Sequence, residues 1–302
     1  MRTTFVNTLT ELARKDERIF LVTADMGFSV FEDFREEFPD RFLNTGIAEQ
    51  NTIGISAGLA LSNRIVYAYS IIPFITMRCF EQIRLDLAYN NTNVKLVGVG
   101  AGFTYGSMGS SHHAIEDIAI MRSIPNMTVL CPGDPFETEE LVKRSYENYG
   151  PMYIRLAKNG EPTIHKNKNR IEIGDPITIT EGDDLILLTT SNTLELAKNW
   201  VDEWSNEGIK VNLVSLPTIK PINVPSIQKL IDRDIPMISL EEHSIIGGLG
   251  STISEIIAES GKGIKFKRMG ICDNFSHHVG GSKFQRKKLD ILQKPDKSWF
   301  FK

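Results

Sequence analysis

One short run of the chain places a carboxylate where it could do chemistry: T-G-I-A-E-Q-N at positions 45–51. Glu49 has no basic residue within this run, and the small-residue stretch 53–60 that follows predicts a tightly packed helix. A carboxyl in such an apolar place resists ionisation and hydrogen-bonds strongly to a partner of matched basicity. Glu49 is therefore a candidate catalytic residue, with a plain helix cap as the alternative.

A second candidate site is the glycine-rich segment 101–117, which carries two adjacent histidines, His112 and His113. Glycines allow the backbone to approach a ligand closely, and histidine exchanges protons near neutral pH. An ordinary surface loop would have a similar composition. A loop of this length in a compact domain is more often functional, so the segment predicts a ligand-binding loop.

Metal chemistry is not indicated by the sequence. His112 and His113 are adjacent, as are His277 and His278, and no acidic residue or cysteine lies at metal-ligand spacing from the first pair. The three cysteines are far apart and predict neither a disulfide framework nor a thiolate site. The G-G-L-G run at 247–250 lacks the spacing of a phosphate-binding loop and predicts the entrance of a helix.

The elements that must position these residues follow an alternation of amphipathic helices and short β-rich runs, which predicts α/β architecture. Five strands are predicted in the first unit: Ile19–Thr23, Arg64–Tyr69, Val94–Val99, Thr128–Cys131 and Met152–Arg155. The segment 75–89 is predicted to be one helix. Ligands bind at the carboxyl ends of parallel strands, where Asp25, Ser70 and the glycine-rich segment are expected.

A polar connector, residues 165–170, predicts a domain boundary, so we expect domains at residues 1–165 and 171–302. The second unit repeats the architecture on a smaller scale, with strands predicted at 184–190, 210–215 and 236–240.

The amino-acid composition limits the classes of function that are expected. The chain has 302 residues, 41% hydrophobic and 24% charged, with a formal charge of -4. This is typical of a soluble globular protein without a polybasic surface, so nucleic-acid and membrane partners are not expected. No apolar stretch of roughly 18 residues and no signal peptide are found, and a cytoplasmic location is expected.

Several of these motifs occur in an order that resembles the transketolase family. They are T-G-I-A-E-Q-N, S-H-H-A-I-E-D at 111–117, I-P-N-M-T-V-L-C-P-G-D-P-F-E at 124–137, P-T-I-K-P-I at 217–222 and E-E-H-S-I-I-G-G-L-G at 241–250. The resemblance runs from Arg2 to about Gly270. It covers the pyrimidine-binding and C-terminal domains of a three-domain transketolase, so the chain resembles the C-terminal subunit of a split transketolase with two doubly wound domains.

The resemblance implies roles for individual residues. Glu49 matches the glutamate that hydrogen-bonds N1′ of the aminopyrimidine of thiamine diphosphate and so promotes activation of the cofactor, which is the electron sink. Phe74 matches the aromatic residue stacked on that ring, and Asp25 is placed among the cofactor contacts. His112 matches the histidine that contacts the hydroxyls of the donor sugar. The residues that resemble phosphate-end contacts for a sugar phosphate are Arg2, Ser29 and Arg155.

Two positions depart from the family pattern. Met108 stands where transketolases carry an aspartate, and Gly100 stands where they carry a histidine before the loop. Those side chains help to read acceptor hydroxyls and phosphate. We therefore expect ketol-transfer chemistry with an acceptor that is less polar or differently functionalised than the usual pentose and triose phosphates.

The resemblance also implies a partner. The diphosphate-binding domain, which holds Mg²⁺ or Ca²⁺, has no counterpart here, so we expect a separate N-terminal subunit that supplies it and an α2β2 heterotetramer. Two alternatives stay open at this point. One is the β subunit of a 2-oxo acid dehydrogenase or an enzyme like deoxyxylulose-phosphate synthase; the other is a noncatalytic assembly or regulatory protein that retains the fold.

Overall fold

The computed structural model describes residues 1–27, 29–158, 160–165 and 169–299, and within them it shows two α/β sheets flanked by helices. The first sheet has the order β10-β5-β6-β4-β3-β1-β2 and the second has the order β12-β11-β8-β9-β7. Neighbouring strands are parallel except at one edge of each sheet, where β10 and β7 run antiparallel to β5 and β9. The predicted α/β class with doubly wound sheets is confirmed.

The strands of the described residues are β1 Ile19–Thr23, β2 Phe42–Asn44, β3 Ile65–Ile71, β4 Val94–Val99, β5 Thr128–Leu130, β6 Met152–Leu156, β7 Ile177–Thr180, β8 Leu185–Thr189, β9 Val211–Ser215, β10 Thr218–Lys220, β11 Met237–Ser244 and β12 Phe266–Ile271. The α-helices are α1 Arg2–Ala13, α2 Glu32–Glu37, α3 Glu49–Leu61, α4 Ile72–Ile75, α5 Phe80–Gln82, α6 Asp117–Ser123, α7 Pro135–Glu147, α8 Leu194–Asn206, α9 Val224–Ile231, α10 Leu249–Ser260 and α11 Ser282–Lys288. A π-helix covers Ile83–Tyr89, and short 3-10 turns cover Pro39–Arg41, Gly106–Met108, Ser110–His112, Ser191–Thr193 and Lys297–Trp299.

Local sequence explains where several helices begin. Asp134 precedes α7 and its carboxylate accepts a hydrogen bond from the backbone N–H of Glu137 at 2.8 Å, while Pro135 occupies the first helical position. Helix α10 begins directly after Gly248, which confirms the helix entrance predicted at the G-G-L-G run. These ends depend on side chains within one turn of the helix, which is why sequence patterns locate them.

The prediction of five strands in the first sheet is wrong by two. The five predicted strands are present, but the sheet also contains β2 and β10, which the sequence pattern does not predict. Each has three residues, too few for an alternating pattern to appear. Strand β10 also lies beyond the predicted boundary between the domains, so the first sheet draws on both halves of the chain.

The single helix predicted over 75–89 is also wrong. The segment is broken into α4, α5 and the π-helix, with residues 76–79 between the first two. Thr76 donates its hydroxyl to the carbonyl of Ile72 at 2.6 Å, and Cys79 donates to the carbonyl of Phe74 at 3.3 Å. Side-chain donors that bond back to the preceding turn bend helices. The break turns Arg78 toward the start of α3.

The two halves share an apolar core. One cluster of buried side chains combines Ile118 and Met121 of α6 with Ile219 of β10 and Leu249 and Ile253 of α10. Burial of apolar side chains is the main favourable contribution to packing of this kind. The halves are therefore packed together at the level of α6. No helix among the described residues has the length and apolar character needed to cross a membrane.

Candidate active site

The predicted chemistry-bearing residues lie around the carboxyl edge of the first sheet. Asp25 follows β1, Phe74 lies in α4 directly after β3, and the glycine-rich loop follows β4. Glu49 is the first residue of α3. Parallel strands end at one edge of a sheet, so residues far apart in sequence are brought to the same region. Ser70 lies inside β3 and is fully buried.

Glu49 has a charged partner that the local sequence does not contain. Its side chain is 4% exposed, and Nη1 of Arg78 donates to its Oε2 at 2.7 Å. Arg78 lies 29 residues later and its side chain is 46% exposed. The guanidinium therefore reaches inward from an open surface to a buried carboxylate. The backbone of Arg78 is joined to the same helix, because Gln50 donates to its carbonyl at 3.2 Å.

One aromatic ring contacts this ion pair and two further rings extend from it. The guanidinium carbon of Arg78 lies 4.5 Å from the ring centroid of Phe74, within the range of a cation–π contact. Phe74 in turn meets His112 edge to face, with ring centroids 5.0 Å apart. Tyr105 contacts His112 from the loop, with ring centroids 6.4 Å apart. The structure thus brings Glu49, Phe74 and His112 into one connected group.

The two adjacent histidines have different environments. His112 is half-buried, its Nδ1 lies 3.0 Å from Oγ of Ser111, and burial lowers its pKa. His113 is buried against Phe103, with ring centroids 4.9 Å apart, and burial lowers its pKa as well. A histidine with a lowered pKa is neutral at pH 7 and can both donate and accept a hydrogen bond. Of the two, it is His112 that contacts the aromatic group beside Glu49.

The glycine-rich loop is held by the C-terminal half of the chain. Buried Glu242 of β11 accepts a hydrogen bond from the backbone N–H of Phe103 at 2.9 Å, pairs with Arg286 and accepts from Asn192. A Cβ at Gly102 would lie 2.3 Å from Oε1 of Glu242, and Gly102 has a φ of +59°. Only glycine allows this close approach. The second half therefore fixes the loop that carries His112.

Asp25 and Ser29 lie on the loop after β1. Asp25 has a φ of +51° and exchanges two hydrogen bonds with Asn44, at 2.9 and 3.0 Å. Asn44 also accepts from the backbone N–H of Gly46, which ties this loop to the run that contains Glu49. Ser29 is exposed, and its backbone N–H donates to Glu32 at 2.7 Å. Asp25 is thus coupled to the Glu49 segment through a single asparagine.

Tyr105 of the loop has one cation over its ring and feels the charge of a second. The ammonium of Lys158 lies 5.5 Å from the ring centroid of Tyr105. Burial raises the pKa of Tyr105, and the positive charge of Arg2 opposes that rise. The Nε atom of Arg2 is buried without a hydrogen-bond partner among the described residues. These groups provide positive charge beside the aromatic group.

The structure does not support the predicted phosphate contact at Arg155. Its side chain is 1% exposed, and Nε donates to Asp117 at 2.8 Å. The other two nitrogens donate to Ser191 at 2.9 Å and to the carbonyls of Ala114 at 2.9 Å and Glu242 at 3.1 Å. With every nitrogen engaged inside the protein, Arg155 joins the two halves and offers no donor to a substrate.

Gly100 and Met108, the two positions that depart from the family pattern, lie in different structural settings. A Cβ at Gly100 would lie 2.4 Å from the ring of Tyr105, and the φ of Gly100 is +103°. The ring of Tyr105 therefore takes the room that a side chain at position 100 would need. Met108 is 58% exposed at the end of a 3-10 turn in the loop. The loop thus carries an apolar exposed side chain four residues before His112.

Three residues of this region are not predicted by the sequence: Arg78, Tyr105 and Lys158. Arg78 falls inside the helix predicted over 75–89, Tyr105 falls inside the predicted ligand-binding loop but is not singled out there, and Lys158 belongs to no motif. The proximity of Arg78 to Phe74 in sequence is the one local signal. Among the described residues, no group of three histidines, cysteines, aspartates or glutamates is arranged to hold a metal ion.

Comparison with known families gives two matches that are consecutive along the chain. Residues 1–162 match the family described as "Transketolase, pyrimidine binding domain", and residues 175–285 match "Transketolase, C-terminal domain". Together the two matches cover most of the chain.

Similar proteins and structures agree with these matches. A "Putative transketolase C-terminal section" of Methanocaldococcus jannaschii is 40% identical over 278 residues, which cover 91% of this chain and 87% of that protein. One of the subunits of an apulose-4-phosphate transketolase, from Actinobacillus succinogenes, is 37% identical over 258 residues, covering 85% of this chain and 83% of that protein. A solved structure described as "Split gene transketolase, inactive beta4 tetramer" superposes with a TM-score of 0.88 at 34% identity, covering 96% of this chain and 93% of the other.

Proposed function

This chain belongs to the transketolase family, and we propose that it is the C-terminal subunit of a two-chain transketolase, with domains at residues 1–165 and 171–302. In this proposal it transfers a two-carbon ketol unit between sugars once a diphosphate-binding subunit has joined it. The observation that carries the proposal is the connected group of buried Glu49 and half-buried Phe74 and His112 at the carboxyl edge of the first sheet. Matches over nearly the whole chain support it.

The described residues fit one end of thiamine diphosphate. Glu49 offers a buried carboxylate to a ring nitrogen, and Phe74 offers an aromatic face beside it. Asp25, held by Asn44, is proposed as a further contact from the neighbouring loop. The other end of the cofactor needs a divalent cation, and the described residues contain no group of three ligands for one. The metal, Mg²⁺ or Ca²⁺, is therefore assigned to the partner subunit.

The proposed mechanism gives this chain three tasks. Bound thiamine diphosphate supplies the electron sink for breaking and forming the carbon–carbon bond. Glu49 holds a proton at the ring nitrogen, a general acid/base contribution typically worth about 10²- to 10⁴-fold. His112, neutral because burial lowers its pKa, orients the sugar hydroxyls and stabilises charge that develops near the reacting carbon. Glu242 keeps the His112 loop in place from the second half.

The proposed substrates are sugars with an anionic group at the end remote from the reacting carbon. Arg2, whose Nε has no hydrogen-bond partner among the described residues, and Lys158, which lies over Tyr105, are proposed as the cations that contact this phosphate. Ser29 is proposed as a hydroxyl donor to the same phosphate. Met108 in place of an acidic residue favours an acceptor with fewer hydroxyls near the loop. The similar protein named for apulose 4-phosphate supports a phosphorylated ketose.

The proposed partner is an N-terminal transketolase subunit, and the proposed assembly contains two copies of each chain. Sites formed where domains meet are common, because each side can contribute part of the ligand contacts. Here the pyrimidine contacts are assigned to this chain and the diphosphate contacts to its partner. The similar solved chain described as an inactive β4 tetramer supports the need for a second type of subunit.

The test is a transfer assay on the full chain copurified with the subunit that restores activity, using phosphorylated ketose donors and 2-oxo acid donors in parallel. We expect ketose-dependent transfer that falls at least about a hundredfold in Glu49→Gln, with assembly unchanged. Glu81→Gln, a change at an exposed glutamate of α5, is the matched control. Turnover with 2-oxo acids alone would favour the dehydrogenase alternative, and an unaffected Glu49→Gln enzyme would refute the role of Glu49.

A further inference from the structure

The guanidinium of Arg78 makes two contacts at once. Its Nη1 donates to Oε2 of Glu49 at 2.7 Å, and its central carbon lies 4.5 Å from the ring centroid of Phe74. The carboxylate is 4% exposed and the arginine side chain 46% exposed. The arginine thus enters from the open side of the site and covers both a buried anion and an aromatic face.

These two contacts are the ones that the proposed function assigns to the aminopyrimidine ring: an N–H donated to Glu49 and stacking beside Phe74. A guanidinium is flat, carries several N–H donors and stacks on aromatic rings, so it is a chemical stand-in for a protonated aminopyrimidine. At 2.7 and 4.5 Å from its partners, it holds Oε2 of Glu49 and one face of Phe74, so an incoming ring must compete with it for that oxygen and that face.

We propose that Arg78 is an internal placeholder that occupies the aminopyrimidine subsite and must swing out before the cofactor ring enters. This inference rests on the proposed function. The side chain of Arg78 is 46% exposed and so borders solvent, while Gln50 holds its backbone carbonyl at the start of α3. While Arg78 occupies the subsite, its guanidinium pairs with the buried carboxylate of Glu49, so that this charge has a partner when the cofactor is not bound.

With a placeholder, the apparent dissociation constant equals the intrinsic constant divided by the fraction of molecules in which the subsite is open. If Arg78 covers the subsite in about nine molecules of ten, its removal tightens binding about tenfold. A group that assisted the bound ring would have the opposite effect. The sign of the change therefore separates the two roles.

The experiment uses the full chain and, as the probe, the hydroxymethyl aminopyrimidine that forms one half of thiamine. Ligand-observed NMR titration gives the dissociation constant for the wild type, Arg78→Met and Arg84→Met. Arg84 is an exposed arginine of the π-helix, so its replacement changes the net charge equally. We expect Arg78→Met to bind the probe about tenfold more tightly and Arg84→Met to match the wild type. Equal or weaker binding by Arg78→Met overturns the inference.

A third variant distinguishes failure of this inference from failure of the proposed function. Adding Glu49→Gln to Arg78→Met should remove the gain. If the wild type binds the probe in a Glu49-dependent way and Arg78→Met binds no more tightly, the cofactor site stands and the placeholder role is wrong. If neither the wild type nor Arg78→Met binds the probe, the pyrimidine contacts assigned to this chain are wrong and this inference fails with them.

A chemical readout tests the movement itself. Phenylglyoxal labels accessible arginines, and peptide mass spectrometry reports labelling at Arg78. An arginine covered by an incoming ligand is protected, whereas a displaced placeholder becomes more reactive. We expect a saturating concentration of the probe to increase labelling of Arg78 and leave Arg84 unchanged. A decrease at Arg78 would show that it stays beside the ring and would overturn the proposal.

Discussion

The buried pair of Arg155 and Asp117 offers the sharpest test of the structure, because its replacement separates an internal role from substrate binding. We predict that Arg155→Met unfolds more easily than the wild type and that its apparent affinity for a phosphorylated substrate changes little among the molecules that remain folded. Asp117 is fully buried and would keep the hydroxyl of Tyr153, at 2.6 Å, as a charge-neutral partner.

The expected loss of stability in Arg155→Met follows from the contacts of Arg155. Loss of one member of a buried ion pair leaves an uncompensated charge and costs about 3–5 kcal/mol. Arg155 also donates to Ser191 and to two backbone carbonyls, and these bonds join the halves of the chain. A loss of this size lowers the melting temperature by on the order of 10 °C.

The assay is thermal unfolding followed by circular dichroism, with Arg14→Met as the control. Arg14 and Glu37 form an ion pair of similar length, 2.7 Å, but both side chains are largely exposed, so little change is expected. Adding Asp117→Asn to Arg155→Met should recover part of the loss, since the buried charge is then gone. An unchanged melting temperature together with a raised KM for sugar phosphates would refute this reasoning and restore Arg155 as a phosphate contact.

Three further predictions concern the loop, the substrate and pH. Gly100→Ala should destabilise the loop by about 1–3 kcal/mol, because the added Cβ would collide with the ring of Tyr105 and because a φ of +103° is strained for alanine. Urea unfolding measures this loss, and an unfolding midpoint equal to that of the wild type would contradict it. Arg2→Met should raise the KM for a phosphorylated sugar about tenfold and leave the KM for the unphosphorylated sugar unchanged, as steady-state kinetics of the assembled enzyme would show. Burial raises the pKa of Glu137 to about 7, and for His165 burial lowers the pKa but the hydrogen-bonded and charged carboxylates beside it raise it overall. Both groups hold protons more tightly when folded. The stability that Glu137 contributes is therefore complete below pH 4.5 and is lost as the pH rises through about 7, whereas the contribution of His165 is lost as the pH rises through its raised pKa. Glu137→Gln should flatten the dependence of the melting temperature on pH between 4.5 and about 7, and an unaltered slope would show that Glu137 does not titrate there.

Much of the fold is predictable from local patterns. Strands such as Val94–Val99 and Met152–Leu156 are short apolar runs bounded by turn residues, and the entrance of α10 follows a glycine-rich run. These signals act over a few residues, because they depend on side-chain alternation and on caps within one turn. Strand β10 escapes prediction for the same reason, since its partner β5 lies far earlier in the chain, with Thr218 opposite Leu130.

Residue types and motif order were enough to predict the family and to propose candidate reacting groups. The motifs around Glu49 and His112 indicate the family, and their side chains indicate a carboxylate and an imidazole acting together. Packing in three dimensions selected which charges meet: Arg78 on Glu49, Arg155 on Asp117 instead of a phosphate, and Glu242 under the loop of His112. A sequence motif gives the chemical type of a side chain. Its charged partner depends on contacts between elements that are distant in the chain, because a buried charge that is left unpaired costs free energy.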